Sequence, residues 1–348
     1  MPDDVGGAVR RRRASMREVA ELADVAISSV SRVLSGHPDV SSEMKERVLD
    51  AVAQLEYEPD FLAQSLRRGQ TLSVGFVLAD ISNPLMADIV LGAEAEMRGA
   101  GYSLLLMNSE NDPALDAAHI RFFQSRRVDG MILSLASETH SPTVEAIEAA
   151  NVPVALVDRE LPDGIGASAV FNDHTAGMEA AVRHLIGLGH RRIALITGSV
   201  EQLPGRQRIK GMQNVIAETN GAVEGVYLPG SFSREHGEVA ARSLLAGPNR
   251  PTAIIAGGNQ LLIGCLRVLN ESGLRVPDDV SLVTCDDVPL SELYRPPIAT
   301  ITRDTVGLGR TAADLLLRRL GEHPGPPETV VLATVFTPRG SVAAPQRA

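Results

Sequence analysis

A repeating rhythm that begins near residue 71 constrains the fold of this chain most strongly. Short apolar runs alternate there with longer amphipathic stretches, and the runs lie at 72–79, 104–107, 130–135, 154–157, 192–196, 253–256 and 280–284. Near-continuous apolar strands separated by helices are typical of parallel sheets whose two faces are both covered. The sequence therefore predicts an α/β body, and the repetition of the rhythm predicts two lobes of similar size.

The first sixty residues follow a helical pattern instead. Apolar residues recur at helical spacing in three short segments, which lie at 17–23, 27–34 and 42–55. Asp24 stands where the first two segments must turn, and Asp tolerates the positive φ that a tight turn requires. Ser41 or Ser42 caps the third helix, and Pro59 stops it. This arrangement fits a helix-turn-helix with a bracing third helix, although the pattern alone equally fits another small α domain.

Composition limits the classes of protein. The chain has 348 residues, a net charge of −10 and a mean hydropathy of +0.03, which are typical of a soluble protein with two or three domains. No apolar run approaches the ~20 residues that span a bilayer. The arginines at 10–13 are not followed by an apolar stretch, so we expect no secretory signal and place the protein in the cytoplasm, on the nucleoid when it binds DNA.

Local charge and the cysteines add two further constraints. Residues 10–70 hold ten basic and ten acidic residues, so the predicted head is neutral within an acidic chain, and this balance permits nucleic-acid binding. Cys265 and Cys285 lie in apolar segments, which fits a reducing compartment and argues against a disulfide framework or a zinc site. We expect no cofactor and no metal.

The second predicted helix carries the residues that we expect to read DNA. Val30, Val33 and Leu34 form its apolar face. Ile27, Ser28, Ser31 and Arg32 therefore point away from the core. In a helix-turn-helix the second helix lies in the major groove, where Arg can donate to guanine O6 and N7 and Ser can donate or accept.

Many short motifs, in order, resemble those of the lactose-repressor/galactose-repressor (LacI/GalR) family of regulators. In the head the similar segments are 16–26 and 30–34, with a continuation through Val40-Ser41, Arg47-Val48, Tyr57 and Pro59. In the body they are 80–84, 101–102, 128–130, 184–185, 189–194, 251–253, 286–287 and 296–297, together with Arg208 and Gly211. The resemblance covers roughly residues 15–340.

The resemblance implies a small all-α helix-turn-helix head and a periplasmic-binding-protein-like α/β body of two Rossmann-like lobes with parallel sheets. We expect a basic arm at 1–14, the DNA-binding domain at 15–59, a hinge helix or linker at 60–70, an effector-binding and dimerisation domain at 71–340 and a tail at 341–348. The first lobe is expected at about 71–160 and 301–328, and the second at about 161–298 and 329–340. The last helix, at about 305–320, would cross back to the first lobe.

The resemblance also implies a set of DNA contacts, namely Ser15, Arg17, Ile27, Ser28, Ser29, Ser31 and Arg32 in the head and Ala63, Leu66 and Arg67 in the hinge. Leu66 matches a leucine that wedges between base steps in the minor groove, and a plain linker is the alternative for this segment. Ala26 departs from the family pattern, which places Ser or Thr there as the cap of the reading helix. Loss of such a cap costs about 0.5–2 kcal/mol.

Polar side chains follow the predicted strands of the body at their carboxyl ends, where ligands bind in open α/β sheets. With the resemblance, these ends predict effector contacts at Asp80, Asn83, Leu85, Asp158, Arg208, Phe232, Asn259 and Asp286. Arg208 matches a family arginine that holds effector hydroxyls or carboxylates. Structural alternatives exist for several of these residues: the aspartates fit helix caps or crossover positions, Arg208 fits an ordinary ion pair, and Phe232 fits a core residue.

Two departures bear on the effector. Leu85 and Met86 stand where the family often has two aromatics, and Gly258-Asn259 stands where it often has Asn-Asp, so the cleft is less suited to stacking a sugar. The sequence predicts a homodimeric transcriptional regulator, expected to be a repressor, which binds palindromic operator DNA and responds to a small polar effector such as a sugar or sugar derivative. A protein co-effector or a non-sugar metabolite is the alternative.

Other classes fit less well. A periplasmic binding protein would need a signal peptide and would not carry the first 69 residues. The sequence holds no P-loop, no G-x-S-x-G and no H-E-x-x-H motif, so we expect no enzyme activity. We expect dimerisation through the first lobe, and we expect no membrane partner.

Overall fold

The computed structural model describes residues 14–34, 37, 39–57, 69–162, 164–321 and 323–346. The chain divides into two compact units, Met1–Thr71 and Leu72–Ala348. Twelve helices and twelve strands lie in the described ranges. Among those helices, none has the length and apolar character needed to cross a membrane.

Within the described residues of the first unit lie three short helices, α1 (Met16–Leu22), α2 (Ile27–Leu34) and α3 (Ser42–Gln54). Their apolar faces meet in a small core of Val19, Ala20, Ala23, Val30, Val33, Val48, Ala51 and Tyr57. The Ser41 hydroxyl accepts a hydrogen bond from the Met44 backbone N at 3.3 Å and caps α3. The helical spacing of apolar residues thus gives the three helices that the sequence predicted.

The turn between α1 and α2 has the backbone conformation that the sequence predicted. Asp24 has a φ of 50°. Arg47 of α3 donates from Nη2 to the backbone oxygens of Ala23 at 2.5 Å and Asp24 at 2.7 Å. The third helix therefore holds the turn in place, and the turn sets the direction of α2.

The first lobe of the second unit is built on one parallel sheet. In chain order its elements are β1 (Ser73–Leu78), α4 (Pro84–Gly99), β2 (Ser103–Asn108), α5 (Pro113–Ser125), β3 (Gly130–Leu133), α6 (Ser141–Glu148), β4 (Val154–Val157) and β5 (Ser168–Asn172), and later α12 (Thr305–Leu320) and β11 (Thr329–Leu332). The strand order is β11-β5-β4-β3-β1-β2. Helix α12 packs against α4 and against three strands of this sheet.

The second lobe repeats this architecture. Its elements are α7 (His174–Gly187), β6 (Arg192–Thr197), α8 (Leu203–Ala217), β7 (Glu224–Pro229), α9 (Arg234–Ala246), β8 (Ala253–Ala256), α10 (Asn259–Glu271), β9 (Ser281–Cys285), α11 (Pro289–Leu293), β10 (Ala299–Thr302) and β12 (Val335–Thr337). The strand order is β12-β10-β9-β8-β6-β7. The strands are parallel except that β12 runs antiparallel to β10. Apolar clusters cover both faces of both sheets.

The lobe boundaries differ from those expected. The sequence predicted that the second lobe starts near 161. Strand β5 still pairs with β4 in the first sheet, so the chain crosses from the first lobe to the second at Asp173. The sequence predicted that the chain returns to the first lobe at 301, but β10 runs to Thr302 in the second sheet. We assigned 329–340 to the second lobe, but β11 pairs with β5 and only β12 joins β10. These strands are short edge or near-edge elements, and the sheet that a three- to five-residue strand joins is decided by its neighbours in space.

Helices α4 and α12 approach so closely that two glycines are required. A Cβ on Gly309 would lie 1.8 Å from the Ile89 backbone oxygen, and a Cβ on Gly92 would lie 2.0 Å from the Val306 oxygen. The two backbones are therefore in direct contact, and the contact fixes α12, which follows the second crossing between the lobes, against the first lobe.

Candidate functional site

The outer face of α2 carries the residues predicted to read DNA. Val30 and Val33 are buried, whereas Ser28 and Arg32 are exposed and Ile27 has 49% of its surface exposed. Ser29 and Ser31 are half-buried. The structure thus places a short row of polar and apolar side chains on the solvent side of this helix.

Residues at the ends of α1 and α2 have local roles as well. The Ser15 hydroxyl and backbone form a capping box with Glu18 at the start of α1, and Arg17 donates to Glu21 at 3.1 Å on its surface. Ala26 offers only its backbone oxygen, which accepts from Ser29 N at 2.8 Å. Helix α2 therefore begins without a side-chain cap from this position, as the departure at Ala26 implied. Ala63, Leu66 and Arg67 of the predicted hinge lie outside the described residues.

Strand ends from both lobes meet around a small cavity of about 70 Å³. Seven of the eight predicted effector residues line it, namely Asp80, Asn83, Asp158, Arg208, Phe232, Asn259 and Asp286. Asn259 Nδ2 donates to Asn83 Oδ1 at 3.0 Å, which joins α10 of the second lobe to the start of α4 in the first. Parallel strands place their carboxyl ends at one edge, and two facing edges form this cleft.

Leu85 does not line the cavity. Its side chain has only 4% of its surface exposed, and the neighbouring Met86 lines the cavity instead. The Asn83 side chain accepts from the Leu85 backbone N at 3.1 Å and fixes the first turn of α4. A helix rotates its side chains by about 100° per residue, so this start places Met86 on the cleft side and Leu85 on the packed side.

A buried ionic cluster joins the two lobes at the cleft. Asp158 follows β4 of the first lobe, Asp286 follows β9 of the second, and Arg303 follows β10 in the crossing segment. Arg303 Nε donates to Asp286 Oδ1 at 2.5 Å, and its Nη1 donates to Asp158. All three side chains have 8% or less of their surface exposed. One guanidinium thus pairs with both carboxylates, and the three side chains together carry a formal charge of −1.

The carboxylate of Asp158 has further partners. Burial by itself would raise its pKa, but Arg303 and His174 hold the pKa well below its usual range. The Asn172 backbone N donates to Asp158 Oδ1 at 3.0 Å, and His174 Nε2 lies 3.5 Å from the same oxygen. Burial and the nearby Arg208 lower the pKa of His174 to about 4, so its ring is neutral at pH 7.

Arg208 extends from α8 into the cleft and has no carboxylate partner within the described part of the chain. Its Nη1 donates to the Gly257 oxygen at 2.6 Å, and its Nη2 lies 3.4 Å from His174 Nδ1. Its Nε is buried and lacks a hydrogen-bond partner. The guanidinium lies over the Phe232 ring, 5.4 Å from its centroid. A Cβ on Gly198 would lie 2.1 Å from that ring, so the Phe232 ring can occupy this position only because residue 198 is a glycine.

A second set of polar contacts joins the lobes beside the cavity. Glu138 of the first lobe accepts from the Leu203 backbone N at 2.7 Å, at the start of α8, and from Arg206 Nη2 at 2.6 Å. Gln202 Nε2 donates to the Ala136 oxygen at 2.8 Å. These bonds and the Asn83–Asn259 bond hold the lobes together, so the structure shows a closed cleft.

Several cleft residues were missed from the sequence, and Arg303 is the most important of them. It lines the cavity together with Asn111 and Pro204, which were also missed. The sequence does contain a signal for Arg303, because it directly follows the last parallel strand of the second sheet at the same edge as Asp286. Residues from 301 onward were assigned to the first lobe, so Arg303 was not recognised as following a strand of the second sheet.

Comparisons with known proteins agree with this combination of a helix-turn-helix unit and a two-lobed binding unit. Residues 15–60 match the model of bacterial regulatory proteins of the lacI family, and residues 182–342 match a periplasmic binding protein-like domain. The Ribose operon repressor of Escherichia coli (strain K12) is 32% identical over 330 residues, which are 94% of this chain and 99% of the repressor.

Solved structures give the same result. The lac repressor dimer bound to operator and the anti-inducer ONPF matches with a TM-score of 0.84 and 27% identity, over 96% of this chain and all of that one. A regulator from Enterococcus faecium with bound ribose matches with a TM-score of 0.69 and 26% identity, over 79% of this chain and all of that one. Fold and site thus define a DNA-binding transcriptional regulator, not an enzyme. The chain belongs to the LacI family.

Proposed function

We propose that this regulator is a homodimeric repressor that acts in the cytoplasm and reads a palindromic operator with α2. One helix-turn-helix reads a half-site, and two heads related by a two-fold axis read both halves. Arg32 is the exposed cation of α2, and its guanidinium suits a guanine edge in the major groove. Ile27, half-exposed at the start of the helix, suits a thymine methyl.

The first lobe offers a surface for the second copy. Edge strand β2 and helix α4 expose Leu106 and Leu91, and Ile81 lies beside them; each has 44–60% of its surface exposed. Leu78, Met86 and Val90 line an apolar groove in the same place. Contiguous exposed apolar surface marks an interaction site, and the solved relative bound to operator is a dimer. We therefore assign this β2–α4 face to the dimer.

The cleft is the proposed effector site, and the effector is a small polar molecule such as a sugar or sugar derivative. A ring of acceptors and donors from both lobes supports this assignment, as does the relative solved with bound ribose. The closed cavity of about 70 Å³ is small beside the 300–1,000 Å³ of usual ligand pockets. The lobes must therefore part for entry, and a ligand that favours one arrangement of the lobes changes operator affinity.

The observation that carries the DNA-reading proposal is the exposed face of α2, and selection from a palindromic DNA library with randomised half-sites tests it. Fluorescence anisotropy would follow binding, and sequencing would give the site. We expect the wild-type protein to enrich one two-fold-symmetric sequence. Arg32→Ala should lose enrichment at one base pair in each half-site, because a bidentate Arg–guanine pair carries about 1–3 kcal/mol of discrimination.

Lys45→Ala is the matched control, since it removes the same charge from an exposed position on α3. The control should select the wild-type sequence, with at most a uniform loss of affinity. Enrichment of the same sequence by Arg32→Ala would contradict the assigned role of Arg32. Absence of any enrichment by the wild-type protein would contradict the DNA-reading proposal as a whole.

A further inference from the structure

We propose that Glu138 is a closure latch, a positioning residue of the first lobe that favours the closed cleft by capping helix α8 of the second lobe. The proposal rests on the effector cleft assigned above and names a side chain that favours its closure. It starts from the N-terminus of α8, because the residue at the cap position makes no side-chain hydrogen bond to this helix. The helix also carries Arg208 into the cleft, so a contact that fixes α8 positions that guanidinium as well.

The first backbone amide of α8 depends on the other lobe for an acceptor. Gln202 stands at the cap position, but its side chain donates to the Ala136 oxygen of the first lobe instead. Leu203 follows as the first helical residue, where an N–H has no acceptor within its own helix. Pro204 has no N–H to satisfy. The Leu203 N donates to Glu138 Oε1 at 2.7 Å, so a carboxylate of one lobe caps a helix of the other.

Burial decides how much this contact matters. Leu203 and Glu138 are both buried, with 3% or less of their surface exposed. In the closed form, a Leu203 N–H without its acceptor would be a buried unpaired donor, whereas in an open form water would satisfy it. Closure therefore depends on Glu138, and opening does not. The carboxylate also lies at the positive end of the helix dipole, which adds to the preference for the closed form.

Two arginines flank the Glu138 carboxylate, one from each lobe. Arg206 of α8 donates from Nη2 to Glu138 Oε2 at 2.6 Å and also reaches Glu160 at 3.3 Å. Arg159 belongs to the first lobe, as Glu138 does, so it would stay beside the carboxylate when the lobes part. The Arg206 side chain is partly exposed, and solvent screens its ion pair. The cap is therefore the larger part of the latch, and the ion pair with Arg206 is the smaller part.

A thiol inside the cleft tests the proposal on the full-length protein. Asn259→Cys places that thiol against the cavity of about 70 Å³, which in the closed form leaves no room for N-ethylmaleimide. Its labelling rate then follows the fraction of molecules that are open. Cys265 and Cys285 lie in the core of the second lobe and report unfolding instead. The reporter removes the Asn83–Asn259 bond from every protein compared, so the comparison stays matched.

In this background, Glu138→Ala should raise the labelling rate of the cleft thiol at least about tenfold, because closure then buries the unpaired Leu203 amide. Glu138→Gln should raise the rate less, since its amide oxygen can still accept that hydrogen bond. Arg206→Ala should also raise it less than Glu138→Ala, since the cap remains. Glu145→Ala removes an exposed carboxylate from α6 of the same lobe and should label within about twofold of the reporter protein.

Equal labelling rates for Glu138→Ala and Glu145→Ala would overturn the proposal. A larger effect of Arg206→Ala than of Glu138→Ala would also overturn it, because the ion pair and not the cap would then favour closure. If the core thiols of Glu138→Ala were labelled as fast as its cleft thiol, the variant would be unfolding and Glu138→Gln would decide. A rate above that of Glu145→Ala, with Cys265 and Cys285 protected, would support the latch, and a rate equal to it would not.

These labelling rates need neither operator nor effector, so this proposal and the proposed function can fail separately. A protein whose cleft opens on Glu138→Ala but that selects no operator keeps the latch and loses the proposed function. A protein that selects an operator and shows no effect of Glu138→Ala keeps the proposed function and loses the latch.

Discussion

At the scale of single residues, the cleft shows how one side chain decides the state of several others. Arg303 bonds to both Asp158 and Asp286. Burial would lower the pKa of Arg303, but these two carboxylates hold it above its usual value. Asp158 in turn contacts His174, which lies against Arg208. The lobes are therefore linked through a chain of buried titratable groups.

His174 should make stability depend on pH. Its folded pKa of about 4 lies below the ordinary value of 6.5, so between these pH values the unfolded chain binds more protons than the folded chain. The contribution of His174 to the free energy of unfolding should therefore be fully present above pH 6.5. The free energy of unfolding should then fall by up to about 3 kcal/mol as the pH drops to 4. Urea denaturation at a series of pH values would measure this change.

His174→Gln should flatten that part of the profile, because the buried ring no longer titrates. Asp158, Arg208 and Arg303 face the ring and remain in the variant, so any titration of their own stays in both profiles. His323→Gln, at an exposed position, is the control and should keep the wild-type profile. Identical slopes for wild type and His174→Gln between pH 6.5 and 4 would contradict the assignment.

At the scale of elements, the crossing of α4 and α12 depends on two glycines in direct backbone contact. Gly309→Ala would place a methyl group 1.8 Å from the Ile89 oxygen, and backbone cannot move aside as a flexible side chain can. Overpacking of this kind costs about 1–3 kcal/mol and sometimes more. We expect the urea midpoint of the variant to fall accordingly.

Gly99→Ala is the control for that measurement. It lies at the end of α4, nothing stands within 4 Å of its added methyl group, and Ala favours a helix by up to about 1 kcal/mol over Gly. This control should be as stable as the wild type or more stable. If Gly309→Ala were as stable as Gly99→Ala, the close crossing of the two helices would be wrong.

The elements also show what sequence can and cannot predict. Seven of the twelve strands in the described ranges were predictable, because buried parallel strands such as β1 are continuous apolar runs. The allocation of β5 and β11 to the first sheet was not, because short strands carry too little pattern to identify their neighbours. Leu85 does not line the cavity because the Asn83 cap sets the phase of α4, and Arg303 was missed because the crossing point was misplaced.

At the scale of the whole molecule, the described contacts between the lobes form two groups. The ionic cluster of Asp158, Arg303 and Asp286 lies at the crossing segments, while the Asn83–Asn259 bond and the Glu138 contacts lie at α4, α10 and α8. A ligand between these two groups of contacts would touch both lobes at once. The arrangement supports a body whose ligand changes the closure of the cleft, and with it the affinity of the heads for DNA.

The central claim, that lobe closure controls operator affinity, can be tested without knowing the effector. In Asn83→Cys/Asn259→Cys, a short bis-maleimide would tie the lobes across the position of the 3.0 Å hydrogen bond. Cys265 and Cys285 should not compete, because burial raises the pKa of both thiols, that of Cys265 to about 12. Wild type treated with the same reagent is the control.

The decisive measurement is the anisotropy titration of the selected operator with the tied and the untied double variant. If closure and DNA binding are coupled, the two affinities should differ at least fivefold, the low end of usual allosteric coupling of about 1–3 kcal/mol. Equal affinities, with cross-linking verified by mass spectrometry, would contradict the claim that the cleft controls the DNA-reading heads.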